Sequence, residues 1–383
     1  MTNLSHSLNS LQTGTWFKLI CGASFQDLPT IRNLVLTYAL ASVDCIDVAA
    51  DPAVVRITQA ALRIAHQLQP QRPQPWLMVS LNDGIDPHFR KADFDPTQCP
   101  VDCPRPCEVI CPTAAIALPN GINRDRCYGC GRCWPVCPQG LIQEHAHIYE
   151  PRTIIPQVLD LGIAAIEIHT QVGNFEGFKR VWQVLQPHCD RLQLLAISCP
   201  DHPELISYLR AIADLISPLP CELVWQTDGR PMSGDLGKGT THAAVRLAQK
   251  VLAAELPGYV QLAGGTNAHT VTKLAEQGLL QHQNPERRAV AGAAYGSYAR
   301  KLLMPIWQEL EQRKTSHLED QPDLLQRAIA LAKNLVQPLK QHSQGVPGST
   351  GLASQNSGLG ALTDLPQQDA RLKRQRAIVE HPS

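Results

Sequence analysis

Eight of the thirteen cysteines lie between Cys99 and Cys137, in two groups of four that each end in Cys-Pro. The later group, Cys127, Cys130, Cys133 and Cys137, is spaced C-x2-C-x2-C-x3-C-P. The earlier, Cys99, Cys103, Cys107 and Cys111, is spaced C-x3-C-x3-C-x3-C-P, one residue looser in its first two gaps. Three thiolates this close in sequence can wrap three corners of one iron–sulfur cubane, and a fourth beyond a turn reaches the neighbouring one. The spacing therefore predicts two [4Fe–4S] clusters with crossed ligands. Cys99, Cys103 and Cys107 join Cys137 on one, and Cys127, Cys130 and Cys133 join Cys111 on the other. The looser first half leaves a perturbed, labile or [3Fe–4S] cluster open at its site. Zinc ribbons pair two C-x2-C knuckles at longer separation, a poor match to tight runs of four.

Over residues 95–150 the segment resembles a bacterial-type two-[4Fe–4S] ferredoxin. On that pattern each fourth cysteine opens a short helix, and the apolar stretches 113–116 and 139–142 are expected to pack over the clusters.

The surrounding sequence has to hold this module. Short β-branched apolar runs at 16–21, 45–49, 76–81, 164–169, 192–198, 222–227, 259–263 and 289–293 read as strands. Helical periodicity fills 28–40, 54–68, 178–185, 203–215, 241–252 and 268–279, with two further helices at 298–313 and 321–339. In the first helix Ile31, Leu34, Val35, Tyr38 and Ala39 make one apolar stripe, with Asp27 placed to cap it and Pro29 in its first turn. Eight strands joined by helices predict a (β/α)8 barrel-like α/β domain. An open doubly wound sheet holds the same number of strands and stays open at this point. The cysteine segment interrupts the pattern after the third strand. Insertions there belong to the barrel's C-terminal face, so the module is expected at its mouth. The expected organisation is 1–94 and 151–340 as the two parts of the barrel, 95–150 as the cluster module, and 341–383 as a disordered Ser/Gly/Gln/Pro-rich tail.

Lys+Arg and Asp+Glu both number 34, and aromatic residues make up only 5%. That balance argues against nucleic acid as a partner. No apolar stretch is long enough for an integral membrane segment, and the N-terminus lacks a signal-peptide pattern, so a cytoplasmic location is expected. Cys21, Cys45 and Cys221 read as small buried hydrophobes, and Cys199, at a strand end, as the thiol to test for reactivity.

Weaker signals come from the strand-to-helix loops. The loop after the sixth strand holds Gly237 and Lys238, but Met232 and Gly239 break the phosphate-loop pattern. Gly264, Gly265, Thr266 and Asn267 follow the seventh strand, where barrels build phosphate sites. With Lys238 they are candidates to hold an anionic ligand, flavin mononucleotide (FMN) or another phosphate-bearing molecule. Glycines that simply shape βα turns explain the loop equally well. Glu167 and His169 alternate with Ile166 and Ile168, so both are expected to point into the barrel.

The cysteine segment, residues 167–170, the loop 228–238 and the loop 264–267 together resemble the cyanobacterial light-dependent period family, over residues 15 to 340. The resemblance implies an iron–sulfur protein that reports cellular redox state to the circadian clock, with redox donors and clock-associated proteins as partners. The alternative is a ferredoxin-fused oxidoreductase that passes electrons from the clusters to a flavin or substrate at the barrel mouth. No catalytic residue stands out, and enzymatic activity is left open.

Overall fold

Eight parallel strands close on themselves in the computed structural model, which describes residues 6–84, 89–111, 113–127, 129, 131–146, 150–229, 240–281 and 288–341. The barrel strands are β1 (Trp16–Gly22), β2 (Cys45–Ala49), β3 (Trp76–Asn82), β8 (Ala165–His169), β9 (Leu194–Pro200), β10 (Glu222–Asp228), β11 (Tyr259–Ala263) and β12 (Gly292–Tyr295). Their order is that of the chain, and β12 pairs with β1 to close the ring. The helices α2 (Leu28–Leu40), α3 (Pro52–Leu68), α5 (Pro151–Asp160), α6 (Phe175–Leu185), α7 (Leu205–Ile216), α8 (Thr240–Leu252), α9 (Thr270–Glu276) and α10 (Ser297–Gln312) cross between them, and α11 (Pro322–Gln341) packs on α10 and α2. This is the (β/α)8 architecture that the pattern predicts, and the open sheet is excluded.

Alternation of side chains divides the core. Outward residues such as Ile46, Val79, Ile166, Ile168 and Leu262 pack under the helices. Inside the barrel, Trp16, Met78, Leu194 and Val224 fill the lower end, and Leu11 of the short helix α1 (His6–Gln12) closes it from below. Asp44 ties this end together: it pairs with Lys340 of α11, and its Oδ2 accepts from the Phe17 N–H at 2.6 Å.

Some boundaries differ from the sequence reading. The last strand begins at Gly292 because Val290 is bridged to Leu280 outside the barrel. A Cβ on Gly292 would sit 1.9 Å from the Trp16 carbonyl oxygen, so only glycine lets β12 close on β1 here. Asp27 does occupy the N-cap of α2, but its carboxylate accepts from Thr30 Oγ1 at 3.0 Å rather than from a backbone N–H. Helix α5 was not evident from periodicity, because Pro151 opens it and Pro156 lies inside it. Among the described residues no helix is long and apolar enough to cross a membrane.

Between β3 and α5 lies the cysteine module. A two-stranded antiparallel ribbon, β4 (Arg90–Asp93) with β7 (Gln143–Ala146), forms its base. A small hairpin, β5 (Ile116–Ala117) and β6 (Gly121–Ile122), lies above it. Its short helix, α4 (Pro106–Ile110), stands before Cys111 rather than after it, and among the described residues none follows Cys111 or Cys137. Pro106 starts that turn, and the three-residue gap from Cys107 to Cys111 spans it. The tail from residue 342 lies outside the described residues.

Candidate iron–sulfur site at the barrel mouth

The module's small core is made of the cysteines themselves. Cys107 and Cys133 are buried with Ala92, Ile116 and Ile142, and Cys111, Cys127 and Cys137 pack against them. One cavity is walled by Cys111, Cys127 and Cys133, which brings the last cysteine of the first group to the second group. Cys130 lies outside the described residues. Cys99 hydrogen-bonds Cys103, and both Cys99 and Cys107 feel the charge of Cys137. Cys111 thus lies beside the second group, and Cys137 within electrostatic reach of the first.

Local donors suit thiolates. The Ala92 N–H donates to Cys127 Sγ at 3.4 Å, and the Ala115 N–H to Cys111 Sγ at 3.2 Å. Burial alone would raise the Cys137 pKa. The backbone N–H groups of Leu141, Gln139, Ile142 and Gly140 outweigh it and hold the thiol below its ordinary value. Among the described residues no three His, Cys, Asp or Glu side chains converge on a single-ion site. Thiols gathered around a shared cavity, with backbone N–H groups donating to sulfur, are the donor set of an iron–sulfur cluster. The residues present therefore fit an iron–sulfur group.

The module is seated on the barrel's C-terminal face by the loops after β1 and β2. The Gln26 N–H donates to the Asp125 carbonyl at 3.0 Å, and Gln26 Nε2 donates to Asp51 Oδ2 at 2.8 Å. Lys91, almost fully buried, donates to Gln26 Oε1 at 2.6 Å and to the Arg124 carbonyl at 2.7 Å. Phe89, where the module begins, packs edge-on against His169 of β8 with ring centroids 5.3 Å apart.

Below that contact the barrel interior turns polar. Glu167 and His169 both point inward, and His169 Nε2 lies 2.9 Å from Glu167 Oε1. Lys18 of β1 pairs with Glu167, sits 3.0 Å from Asp47 Oδ2 and donates to Gln226 Oε1 at 3.0 Å. Burial alone would lower the lysine's pKa, but Asp47 and then Glu167 outweigh it and keep Lys18 charged. The two carboxylates diverge. Burial lifts Asp47 above the ordinary carboxylate range, whereas at Glu167 the pull of Lys18 and His169 exceeds the burial penalty and holds the group below it.

Above this floor is a cavity of about 70 Å³ lined by Asp47, Ser80, Glu167, His169, Gln226 and Asp228. Gly264, Gly265 and Thr266 also line it, and Asn267 does not. Thr266 Oγ1 donates to the Ala294 carbonyl at 2.6 Å, and Asn267 Oδ1 accepts from the His269 N–H at 2.9 Å, so both side chains shape their turn. Lys238 lies outside the described residues. Gly129, from the cysteine loop, lines both this cavity and the one walled by Cys111, Cys127 and Cys133. Cys199 is buried, and burial pushes its thiol up to about 12, which removes it as a reactive nucleophile.

The interior residues that alternation did not single out were Lys18, Asp47 and Gln226. Lys18 and Asp47 are charges inside otherwise apolar strands, and that conflict was their available signal.

Two family models match the chain. The light dependent period A C-terminal domain covers residues 157–338, and the iron–sulfur cluster-binding domain of the same family covers residues 99–148. Light dependent period A of Synechococcus elongatus is 57% identical over 345 residues, 90% of this chain and 97% of that protein. An uncharacterized ferredoxin of Methanocaldococcus jannaschii is 44% identical over 57 residues, 14% of this chain and 37% of that protein. The tryptophan synthase alpha subunit of Legionella pneumophila covers 88% of this chain and 99% of its own at 12% identity, with a TM-score of 0.41. A relative sharing more than half of its residues over nearly its full length, joined to both family models, makes this chain an iron–sulfur-binding member of the light dependent period A family.

Proposed function

We propose that the protein is a redox-sensing regulator that carries two [4Fe–4S] clusters, on Cys99, Cys103, Cys107 and Cys137 and on Cys127, Cys130, Cys133 and Cys111. Bound there, such a cluster supplies a one-electron store whose charge changes on reduction. The chain's own residues hold the thiolates with backbone N–H groups and join the module to the barrel. The observation that carries the reading is Gly129: it stands between the cysteines and walls the barrel-mouth cavity, so the cluster loop and the mouth share a wall through which a change in one can reach the other.

The state of the mouth supports a sensor over an enzyme. Ligand pockets usually measure about 300–1,000 Å³. The cavity here is about 70 Å³, and its floor is filled by the Lys18, Glu167 and Gln226 side chains bonded to one another. Among the described residues, that leaves room for a small anionic group at Gly264, Gly265 and Thr266. Redox donors, and clock-associated proteins in the cytoplasm, are the partners we propose for it.

Electron paramagnetic resonance on the anaerobically reduced protein, with iron and sulfide counted, tests the reading. Two interacting [4Fe–4S] signals support it. Zinc without sulfide would overturn it, and a flavin absorbance beside the iron–sulfur band would move the balance to an oxidoreductase.

A further inference from the structure

Trp134 follows Cys133 and lines the cavity walled by Cys111, Cys127 and Cys133. The guanidinium of Arg90 lies over its ring, with Cζ 5.3 Å from the centroid, and Arg90 Nη1 is held 2.5 Å from Glu144 Oε2. The indole Nε1 is sealed from solvent and has no hydrogen-bond acceptor among the described residues. An indole N–H can only donate, and a buried donor with no acceptor is costly enough that folded proteins keep few of them. An acceptor is therefore missing beside the ring, in a cavity whose walls are thiols. Two backbone N–H groups, of Ala92 and Ala115, already donate to sulfur on these same cysteines.

We propose that the Trp134 indole N–H donates a hydrogen bond to a sulfur of the cluster held by Cys111, Cys127, Cys130 and Cys133, and thereby raises that cluster's reduction potential. The inference rests on the cluster reading above. A donor aimed at cluster sulfur favours the reduced, more negative state, and such bonds are among the main controls on cluster potential. The Arg90 guanidinium packs over the ring and helps to hold it in place. The two clusters are thereby made unequal, since this donor serves only one of them.

The test uses the full-length holoprotein with tryptophan labelled at the indole nitrogen with ¹⁵N. Pulsed paramagnetic resonance on the reduced protein is expected to detect a weak ¹⁵N coupling to one cluster, and Trp134→Phe to abolish it. Redox titration of Trp134→Phe, which keeps a ring under Arg90, should lower one midpoint and leave the other unmoved. A tenfold loss in the reduction equilibrium reads as ~59 mV for a one-electron couple. Two clusters in the wild type with no ¹⁵N coupling, or an unmoved midpoint in Trp134→Phe, overturns the indole bond and leaves the cluster reading intact. A wild type without acid-labile sulfide overturns the cluster reading, and the bond with it. The wild-type measurement decides the matter even if Trp134→Phe fails to assemble its clusters.

Discussion

Lys18 stands between two buried carboxylates, and replacing each one should have unequal consequences. Glu167 is ionised because Lys18 and His169 outweigh its burial. Asp47 shares the lysine, yet burial dominates and lifts it from 3.8 to about 6. Glu167→Gln leaves Lys18 buried with Asp47 as its remaining carboxylate partner. Breaking a buried pair from one side costs about 3–5 kcal/mol. Asp47 Oδ2 stays 3.0 Å from Lys18 Nζ and offsets part of that, so a loss of about 3 kcal/mol is expected near neutral pH. Asp47→Asn removes the group that burial penalises. Its amide oxygen can still accept from Ser80 Oγ, now 2.8 Å from Oδ1, so a change within about 1 kcal/mol is expected. The pH dependence separates the two further. A carboxyl whose folded pKa is raised gives stability that is complete below its unfolded value of 3.8 and is lost as pH rises through about 6. Wild-type stability should therefore fall between about pH 5 and about pH 8 by an amount that Asp47→Asn does not show. Glu167 is held low, so its contribution persists across that window and is lost only below its ordinary 4.5. Anaerobic urea unfolding of the holoproteins, followed by far-ultraviolet circular dichroism at both pH values, measures all three. Equal losses in the two variants, or Glu167→Gln within about 1 kcal/mol of wild type, would refute the reasoning.

The remaining expectations concern cluster, thiol and closure. Cys130→Ala should abolish one paramagnetic signal and take roughly half of the iron and sulfide with it, leaving the other cluster in place; both signals surviving would remove Cys130 from the ligand set. Cys199 should react with iodoacetamide in the native protein only as fast as the barrel opens, because burial holds its thiol at about 12; a rapid phase assigned to Cys199 by peptide mapping would contradict that. Gly292→Ala should cost about 3 kcal/mol or more, read as a drop in thermal midpoint, since its Cβ would fall 1.9 Å from the Trp16 carbonyl oxygen.

The barrel was legible because each strand is an apolar run buried on both faces and each helix carries one stripe, and these two periods separate cleanly in sequence. Elements that break their own pattern were not legible: α5 is interrupted by Pro156, and α1 is a seven-residue polar helix whose Leu11 does the plugging. The ferredoxin-like reading of the cysteine spacing predicted helices after Cys111 and Cys137. The fold instead uses α4 ahead of Cys111, because Pro106 starts a turn there.

The relation between the two halves of the molecule was the least accessible part. Insertion after the third strand implies a module at the mouth, but not which loops hold it or what lies beneath. Gln26 of the β1 loop holds the module through Asp125 and Lys91 and is itself held by Asp51 of the β2 loop, although both stand far ahead of it in sequence. Glu167 was readable by alternation as an inward carboxylate, but its meaning depends on Lys18 and Gln226, contributed by strands whose positions only barrel closure determines. A lone carboxylate at a barrel mouth suggests chemistry; one bonded to a lysine, a glutamine and a histidine is a satisfied plug. On the other side of Gly129 a buried donor stands without an acceptor among the described residues, the Trp134 N–H beside the cavity walled by Cys111, Cys127 and Cys133. The polar floor under the mouth is thus closed by its own side chains, whereas the module keeps a buried donor that a bound cluster would satisfy.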